Sequence, residues 1–415
     1  MPIDATNPVP PELPRVAGMD NVPDHVPREL IRSAGISFGP EFLASPHEYM
    51  AKLHETMPPV YYDVSDFGNA WQLIKYEDAF FMLRHPEIFS NEGATPFPRD
   101  PDDYFYFIPI EIDPPHHRKY RAILEPVFSP KGVMQLQDKI SDLADDLIDD
   151  IVDKGGCEFT TDFGRPLPVS VFLDLMGLPQ EKRDTFVKWA VDLLHSNDRA
   201  IMGEAMASIS SYLKQVIAEK TENPDDKVIS RIVHATVDDR AMTPPEIFGF
   251  VIFLFIGGLD TVFATLNNIW LWLANNPERR KEIIADPENL NAQVEELLRV
   301  FSVTFSGRMV IQDCEIRGVQ LKKGDRVTAV LPACNYDPDI FPDPTRVDFH
   351  RPRKPILAFA GGVHSCMGAH LARLEIKVAL RKWLERIPEF AVQPDTRIEY
   401  RPGGVVGPEH LPLVW

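Results

Sequence analysis

Residues 359–373 read FAGGVHSCMGAHLAR, a single cysteine, Cys366, among three glycines and two histidines. A cysteine so placed is a buried hydrophobe, half of a disulfide, a zinc ligand or a reactive thiolate. Glycines at 361, 362 and 368 permit a tight loop whose backbone N–H groups point at the sulfur. The helix-like run after Cys366 adds its positive N-terminal end, and both features stabilise a thiolate. A second stretch, GGLDT (257–261), places an acid and a hydroxyl, Asp260 and Thr261, directly after Gly257 and Gly258. Two adjacent glycines weaken a helix by about 1–2 kcal/mol but let a ligand or another backbone come close. A tight helix crossing, with Asp260 salt-bridged elsewhere, fits the same residues. Two further stretches gather charge: DPPHHRKYR (113–121) and EELLRV (295–300).

Groups so scattered along the chain need a large scaffold. The chain has 415 residues, of which 44% are hydrophobic, ample for a big core. Lys plus Arg is 43 against 62 for Asp plus Glu, a formal charge of −19. Such a surface repels nucleic acid and anionic lipid, so neither a nucleic-acid nor a membrane partner is expected, and an acidic partner needs a local basic patch. Cys157, Cys314, Cys334 and Cys366 are far apart and form no CxxC pair. That argues against a disulfide framework or zinc ribbon and suits a reducing cytoplasm. The opening MPIDATNPVPPELPRVAGMDNVPDHVP lacks a basic start followed by an apolar stretch, so neither a signal peptide nor a membrane anchor is expected.

Residues 1 to about 30 read as an extended, proline-punctuated segment. VYYDV (60–64) and AWQLIKY (70–76) read as strands around an Asp-Phe-Gly-Asn turn, and 77–85 as a short helix. Residues 93–109 form a proline-rich loop with enough Phe and Tyr to cover something apolar. From Lys131 to about 300 the pattern is mostly helical, with QLQDKISDLADDLIDDIVDK strongly amphipathic and further helices around 181–195 and 203–220. Strand character returns over 303–334, where VQLKKGDRVTAVL contains a Lys-Gly-Asp turn. Thr243, Pro244 and Glu246 make a capping box ahead of an apolar run long enough to span a bilayer. Because Asp260 and two asparagines interrupt that run, it reads as a helix through the centre of a large protein. No repeat and no Gly/Ser-rich linker is evident, so the expectation is one α-rich domain, 1–415, with small β-sheets.

A lone thiolate on a loop suits an axial haem ligand better than a closed zinc site, which needs four ligands. FAGGVHSCMG resembles the haem-binding signature of the cytochromes P450, FxxGxxxCxG, at Phe359, Gly362, Cys366 and Gly368. EELLRV is similar to that family's ExxR pair (Glu296, Arg299), GGLDT to the oxygen-binding kink of its long central helix, and DPPHHRKYR to its third-helix HxxxR, His117 and Arg121. The resemblance covers essentially the whole chain and is closest to the bacterial camphor hydroxylase branch, through FIPIEIDPP, GGLDTV, GVQLKKGD and LPLVW. It implies haem (heme b) between the central helix and the Cys-loop helix, with Cys366 the iron ligand and Phe359 beside the sulfur. It also implies that Arg121, Arg308, His117 and His364 bind the propionates, although His117 also reads as a surface helix residue. Glu296, Arg299 and Arg351 become a structural ion network. Asp260 and Thr261 become the groups serving dioxygen activation, with Lys188 as the base tied to Asp260. The family's second basic partner looks absent, its region being occupied by His195–Ser196.

By the same resemblance the substrate pocket is lined by Phe105, Phe97, Phe253, Ile256, Thr304, Gly404 and Val405. Phe105 stands where the camphor pattern has a tyrosine hydroxyl, Phe253 where it has leucine, and Thr304 and Gly404 where it has valine and isoleucine. The pocket is thus reshaped toward a larger hydrophobic terpenoid or norisoprenoid, ionone-like, rather than camphor. The implied system is a soluble monomer that takes electrons from a 2Fe–2S ferredoxin served by an NADH-dependent flavin reductase, with Arg118, Lys119, Arg353, Lys354 and Arg373 facing the ferredoxin. Two other readings compete. A peroxide-driven peroxygenase lacks the acid–alcohol pair, and a haem sensor needs no proton relay.

Overall fold

The apolar run after Thr243 folds as two successive helices, Pro244–Gly258 and Thr261–Asn275, in a computed structural model that describes residues 22–64, 69–95, 97 and 104–415. The capping box forms as expected, Thr243 Oγ1 accepting from Glu246 N and Glu246 Oε2 accepting from Thr243 N at 2.6 Å. Glu246 is also held by two Arg240 nitrogens at 2.8 Å each and by Tyr120 Oη at 2.5 Å. This fixes the start of the central helix to the helix His117–Phe128. The run is long and apolar enough to cross a bilayer, yet 61% of its most apolar stretch is buried inside the fold. Phe250, Val251, Ile252, Phe255, Trp270 and Leu273 are fully enclosed. It is the core helix that the sequence suggested.

Two glycines explain how other elements reach this helix. A Cβ at Gly249 would lie 1.9 Å from the carbonyl oxygen of Tyr106, so the aromatic loop crosses the helix backbone there, and Ile108 N donates to Gly249 O at 3.2 Å. A Cβ at Gly258 would lie 2.2 Å from the ring of Phe172 on the helix Pro166–Met176. The helix is interrupted at Leu259–Asp260, directly after that close contact.

The helix after the cysteine, Ala369–Arg386, packs on Gln137–Asp149 and on Leu290–Val300. Trp383 meets Trp270 of the central helix edge-on at 5.9 Å, with Phe159 and Phe163 filling the corner. Such aromatic contacts add about 0.5–1.5 kcal/mol each beyond burial, and they set the spacing between the two helices. A six-stranded sheet lies beside this helical body, in the order Ile31–Arg32, Val60–Asp63, Ala70–Leu73, Arg326–Ala329, Ser306–Val310, Phe89–Ser90. Val327 runs parallel beside Trp71 and faces Arg308 on its other, antiparallel neighbour.

The expected elements are present with small shifts: strands at Val60–Asp63 and Ala70–Leu73, helices at Tyr76–Arg84, Arg183–His195 and Arg199–Glu222. The Lys-Gly-Asp turn forms with Gly324 at φ +98°, but its two strands join different sheets: Val319–Leu321 pairs with Cys314–Ile316, while Arg326–Ala329 enters the six-stranded sheet. Residues 65–68 of the 60–76 turn region, 96 and 98–103 of the aromatic loop and 1–21 of the N-terminal segment lie outside the described residues.

Candidate active site

Cys366 sits between a 3₁₀ turn, Gly362–His364, and the helix Ala369–Arg386. Gly362 has φ +67°, and a Cβ there would lie 2.0 Å from Leu83 O, so only glycine fits this bend against the helix Tyr76–Arg84. The cysteine N–H closes the loop on Phe359 O at 2.9 Å. Arg373, one turn into the helix, stacks over the Phe359 ring at 4.4 Å. Burial pushes the thiol pKa up; the Gly368 N–H, Arg121, Arg373 and the Ala369 N–H pull it down without cancelling that. The net effect favours the neutral thiol, so the loop alone does not make a thiolate. A bound metal ion completes the deprotonation, because a coordinating thiol gives up its proton. Cys366 is enclosed deep in the fold yet its side chain stays accessible, as it would be on the wall of an internal space.

A second opening lies on the central helix. Gly257 is exposed between buried Ile256 and buried Leu259, and a Cβ there would meet nothing within 4 Å. Thr261, one turn later, points its hydroxyl back at Gly257 O, 3.4 Å away.

Four cationic or titratable side chains gather beside the cysteine loop. His117 and His364 lie ring to ring at 4.3 Å, both buried, and Arg121 and Arg308 act on them electrostatically. His117 Nε2 and both ring nitrogens of His364 have no hydrogen-bond partner. Burial, then His364 and Arg121, lower the His117 pKa to about 3, and burial lowers Arg308 to about 10. Arg121 donates to Ser365 O at 2.7 Å, Arg308 to Ser306 Oγ at 2.9 Å, and His364 Nε2 lies 3.7 Å from Asp113 Oδ1, so the cluster is partly paired among the described residues and its remaining donors suit anions. The two propionates of a haem would supply such anions, so the residues present fit the cofactor. His117 is buried, not a surface residue.

A model of the family named Cytochrome P450 matches residues 172–410. The chain is 33% identical over 402 residues to "Probable cytochrome P450 127A1" of Sinorhizobium fredii, covering 95% of this chain and 97% of that protein. The chain belongs to the cytochrome P450 family. Over 366 residues it is 30% identical to "Steroid C26-monooxygenase" of Mycolicibacterium smegmatis, covering 86% of this chain and 90% of that one. Among solved structures it superposes on CYP101J2 with TM-score 0.82 and 31% identity, and on cytochrome P450 CYP101C1 with TM-score 0.84 and 28% identity. Each covers 95% of this chain and 99% of its own. The protein is thus a haem-thiolate monooxygenase of the bacterial, CYP101-like branch.

The remaining residues can be placed within this P450. Arg299 meets Glu296 twice, at 2.7 and 2.9 Å, and Arg351 adds a third contact at 3.1 Å. Arg299 also donates to the carbonyls of Asn335 and Pro344, so the trio ties the helix Leu290–Val300 to the segment leading into the cysteine loop. Lys188 does not reach Asp260: it is exposed and paired with Asp192 at 2.5 Å, one turn along its own helix. The base that does reach Asp260 is His195, at 2.9 Å, joined by Arg401 at 3.3 Å. Burial pushes Asp260 upward, but Arg401, His195 and Arg165 together hold its pKa below the usual carboxylate value. Sequence reading noted His195 only as a gap. Arg165 and Arg401 carried no signal, since nothing local marks GRPLP or RPGG as neighbours of residue 260.

Of the residues expected to line the substrate pocket, Phe97 and Phe253 both meet Phe107, with ring distances of 5.7 and 6.3 Å. Phe105 is buried against Phe248 at 4.7 Å and against Gly249. Those two positions lie roughly 180° and 80° round the helix from Gly257 at 100° per residue. Thr304 bridges Val405 antiparallel, Gly404 has open space around it, and Ile256 is buried. On the cysteine side, Arg353, Lys354 and Arg373 line one cleft of about 340 Å³. Arg373 is engaged by Glu295 through two contacts, and Lys119 by Asp238 at 2.6 Å, whereas Arg118 and Arg353 are exposed with no ion pair among the described residues.

Proposed function

We propose that Cys366 holds the haem iron and that the openings at Cys366 and Gly257 belong to one haem cavity, in which a small hydrophobic terpenoid or norisoprenoid is hydroxylated. The observation that carries this reading is that a thiol deep in the fold is open to an internal space while its loop is fixed by Gly362 and Arg373. Haem, when bound, supplies the activation of dioxygen. The chain's residues do the rest. Arg121, Arg308, His117 and His364 take the propionates. Phe359 shields the sulfur beneath Arg373, Gly257 leaves room over the ring, and Thr261 presents a hydroxyl beside that space with Asp260 behind it; Gly258, expected to share that role, faces Phe172 instead.

Phe97, Phe107 and Phe253 supply an apolar wall, and Gly404 supplies room beside Thr304 and Val405. Such a pocket selects by area, about 25 cal/mol per Å² of apolar surface buried. With Phe105 in place of a hydroxyl, a ketone oxygen entering there is desolvated without compensation, which costs about 1–3 kcal/mol. In a spin-state titration of the haem-loaded protein, an ionone-type ketone should bind about 10- to 100-fold more tightly than camphor. Camphor binding as tight as ionone, with a full shift to high spin, would refute the substrate class.

Electrons are proposed to come from a 2Fe–2S ferredoxin docking on the cysteine side, where Arg353 and Arg118 are exposed without an ion pair among the described residues. The rate of reduction should fall as salt is added, because exposed charges are screened beyond about 10 Å at 0.1 M. Arg353→Glu should weaken docking more than Lys119→Glu or Arg373→Glu, since those two side chains already serve Asp238 and Glu295. A reduction rate indifferent to salt would rule this surface out.

A further inference from the structure

The buried cluster around Asp260 has an unusual composition. Asp260 Oδ2 faces His195 Nε2 at 2.9 Å, and its Oδ1 faces Arg401 Nη1 at 3.3 Å. The other ring nitrogen of His195, Nδ1, lies 2.6 Å from the carbonyl oxygen of Pro402. Arg165 and Arg401 flank the ring of Phe263, at 5.1 and 4.7 Å. Both side chains of the His195–Asp260 pair are enclosed, at 4% and 0% exposure. The only other charges near His195 on its own helix, Lys188 and Asp192, are paired with each other. Asp184 and Glu158 act on Arg165, from outside the pair.

A carbonyl oxygen accepts hydrogen bonds and cannot donate, and an ionised carboxylate does the same. A histidine wedged between the two must therefore carry a proton on each nitrogen whenever Asp260 is ionised. The guanidinium groups of Arg165 and Arg401 do not release protons. Within the cluster, the one proton that can be given up is the one between His195 Nε2 and Asp260 Oδ2. Asp260 alone, held low by its cationic neighbours, has none to give near neutral pH.

We propose that His195 supplies the proton that Asp260 passes toward Thr261, acting as a positioning residue through Asp260. This rests on the role given to the acid–hydroxyl pair above. In the transfer the Nε2–H bond breaks and an Oδ2–H bond forms. His195 is left neutral, keeping its Nδ1–H on Pro402 O. The proton that Asp260 then gives up is consumed in the reduction of dioxygen, with electrons from the redox partner, and solvent restores the one on His195. The route for that is short: His195 ends its helix, and the next turn, 197–200, is exposed. A lysine or arginine at this position would hold Asp260 equally well without titrating in the neutral range. With histidine, proton supply depends on pH.

The test uses the reduced, carbon monoxide-bound holoenzyme, which is diamagnetic, labelled with ¹⁵N-histidine. The resonances missing from His195→Gln identify the ring. Both nitrogens should be protonated at low pH, Nε2 alone should lose its proton as pH rises, and Asp260→Asn should move that midpoint to lower pH by a unit or more. In turnover with an ionone, NADH and a surrogate 2Fe–2S ferredoxin with its reductase, wild-type activity should fall on the same midpoint. His195→Gln and His195→Arg should lose that pH limb and slow by about 10²-fold, the scale of general acid catalysis, with the ionone spin shift unchanged. A His195 ring with a single proton throughout, a midpoint indifferent to Asp260→Asn, or a wild-type pH profile in His195→Arg would overturn the proposal. Failure of the underlying reading would instead show as a Thr261→Ala variant that stays fully coupled, with as much product per NADH as wild type.

Discussion

Replacing Cys366 with histidine should leave a protein that binds haem yet has lost monooxygenation to background. The cluster proposed to take the propionates (His117, Arg121, Arg308 and His364) is untouched, and imidazole is itself a haem ligand. What disappears is the thiolate, whose electron donation favours O–O cleavage. The reduced carbon monoxide complex should lose its long-wavelength Soret band at the same time. His364 and His117, buried near the loop, give no alternative thiolate, and Cys157, Cys314 and Cys334 lie elsewhere in the sheets and the short helix Leu331–Cys334. Retention of the band in the variant would remove Cys366 from its role.

The second large effect is on stability. Arg299 is 1% exposed and makes two contacts to Glu296 and further ones to the carbonyls of Asn335, Pro344 and Arg346. Arg299→Leu leaves Glu296 buried with Arg351 as its remaining cation and strips those carbonyls of their donor. Breaking a buried pair from one side costs about 3–5 kcal/mol, a large share of the 5–15 kcal/mol typical of a folded protein. The unfolding midpoint should drop by about 3–6 °C, and haem should be lost more readily. The double variant Glu296→Leu with Arg299→Leu should recover part of the loss, because the buried carboxylate is then gone and Arg351, which loses it, still donates to the carbonyls of Pro342 and Arg346. A single variant as stable as wild type would show that the network is dispensable.

How much of this was legible in the sequence depended on distance along the chain. The cysteine loop, the capping box and the Glu296–Arg299 pair are local, each written within a dozen residues, and the structure shows each where its spacing put it. Helix ends moved by a few residues, as at Arg199–Glu222, because amphipathic pattern marks a face better than a terminus. The surroundings of Asp260 are different in kind. His195, Arg401 and Arg165 come from three separate segments, 65, 141 and 95 residues from Asp260. Lys188 was the nearest basic side chain by pattern, but it lies on the outward face of its helix, where Asp192 takes it. Only the folded arrangement of the helix end at His195 against the strap 401–404 reveals which base is used. Phe105 carries a similar lesson: its place in the loop was readable, but the flank of the helix it covers follows from where the backbone crosses at Gly249.

That crossing divides the pocket into a part that can drift and a part that cannot. With the Tyr106 carbonyl pressed onto Gly249 and Ile108 bonded to the same residue, the foot of the aromatic loop is stitched to the backbone of the central helix. Any side chain at 249 would pry the two apart. Phe97 and Phe253 meet the loop through ring contacts with Phe107, so substitutions there can reshape the wall while the backbone crossing that presents it stays in place.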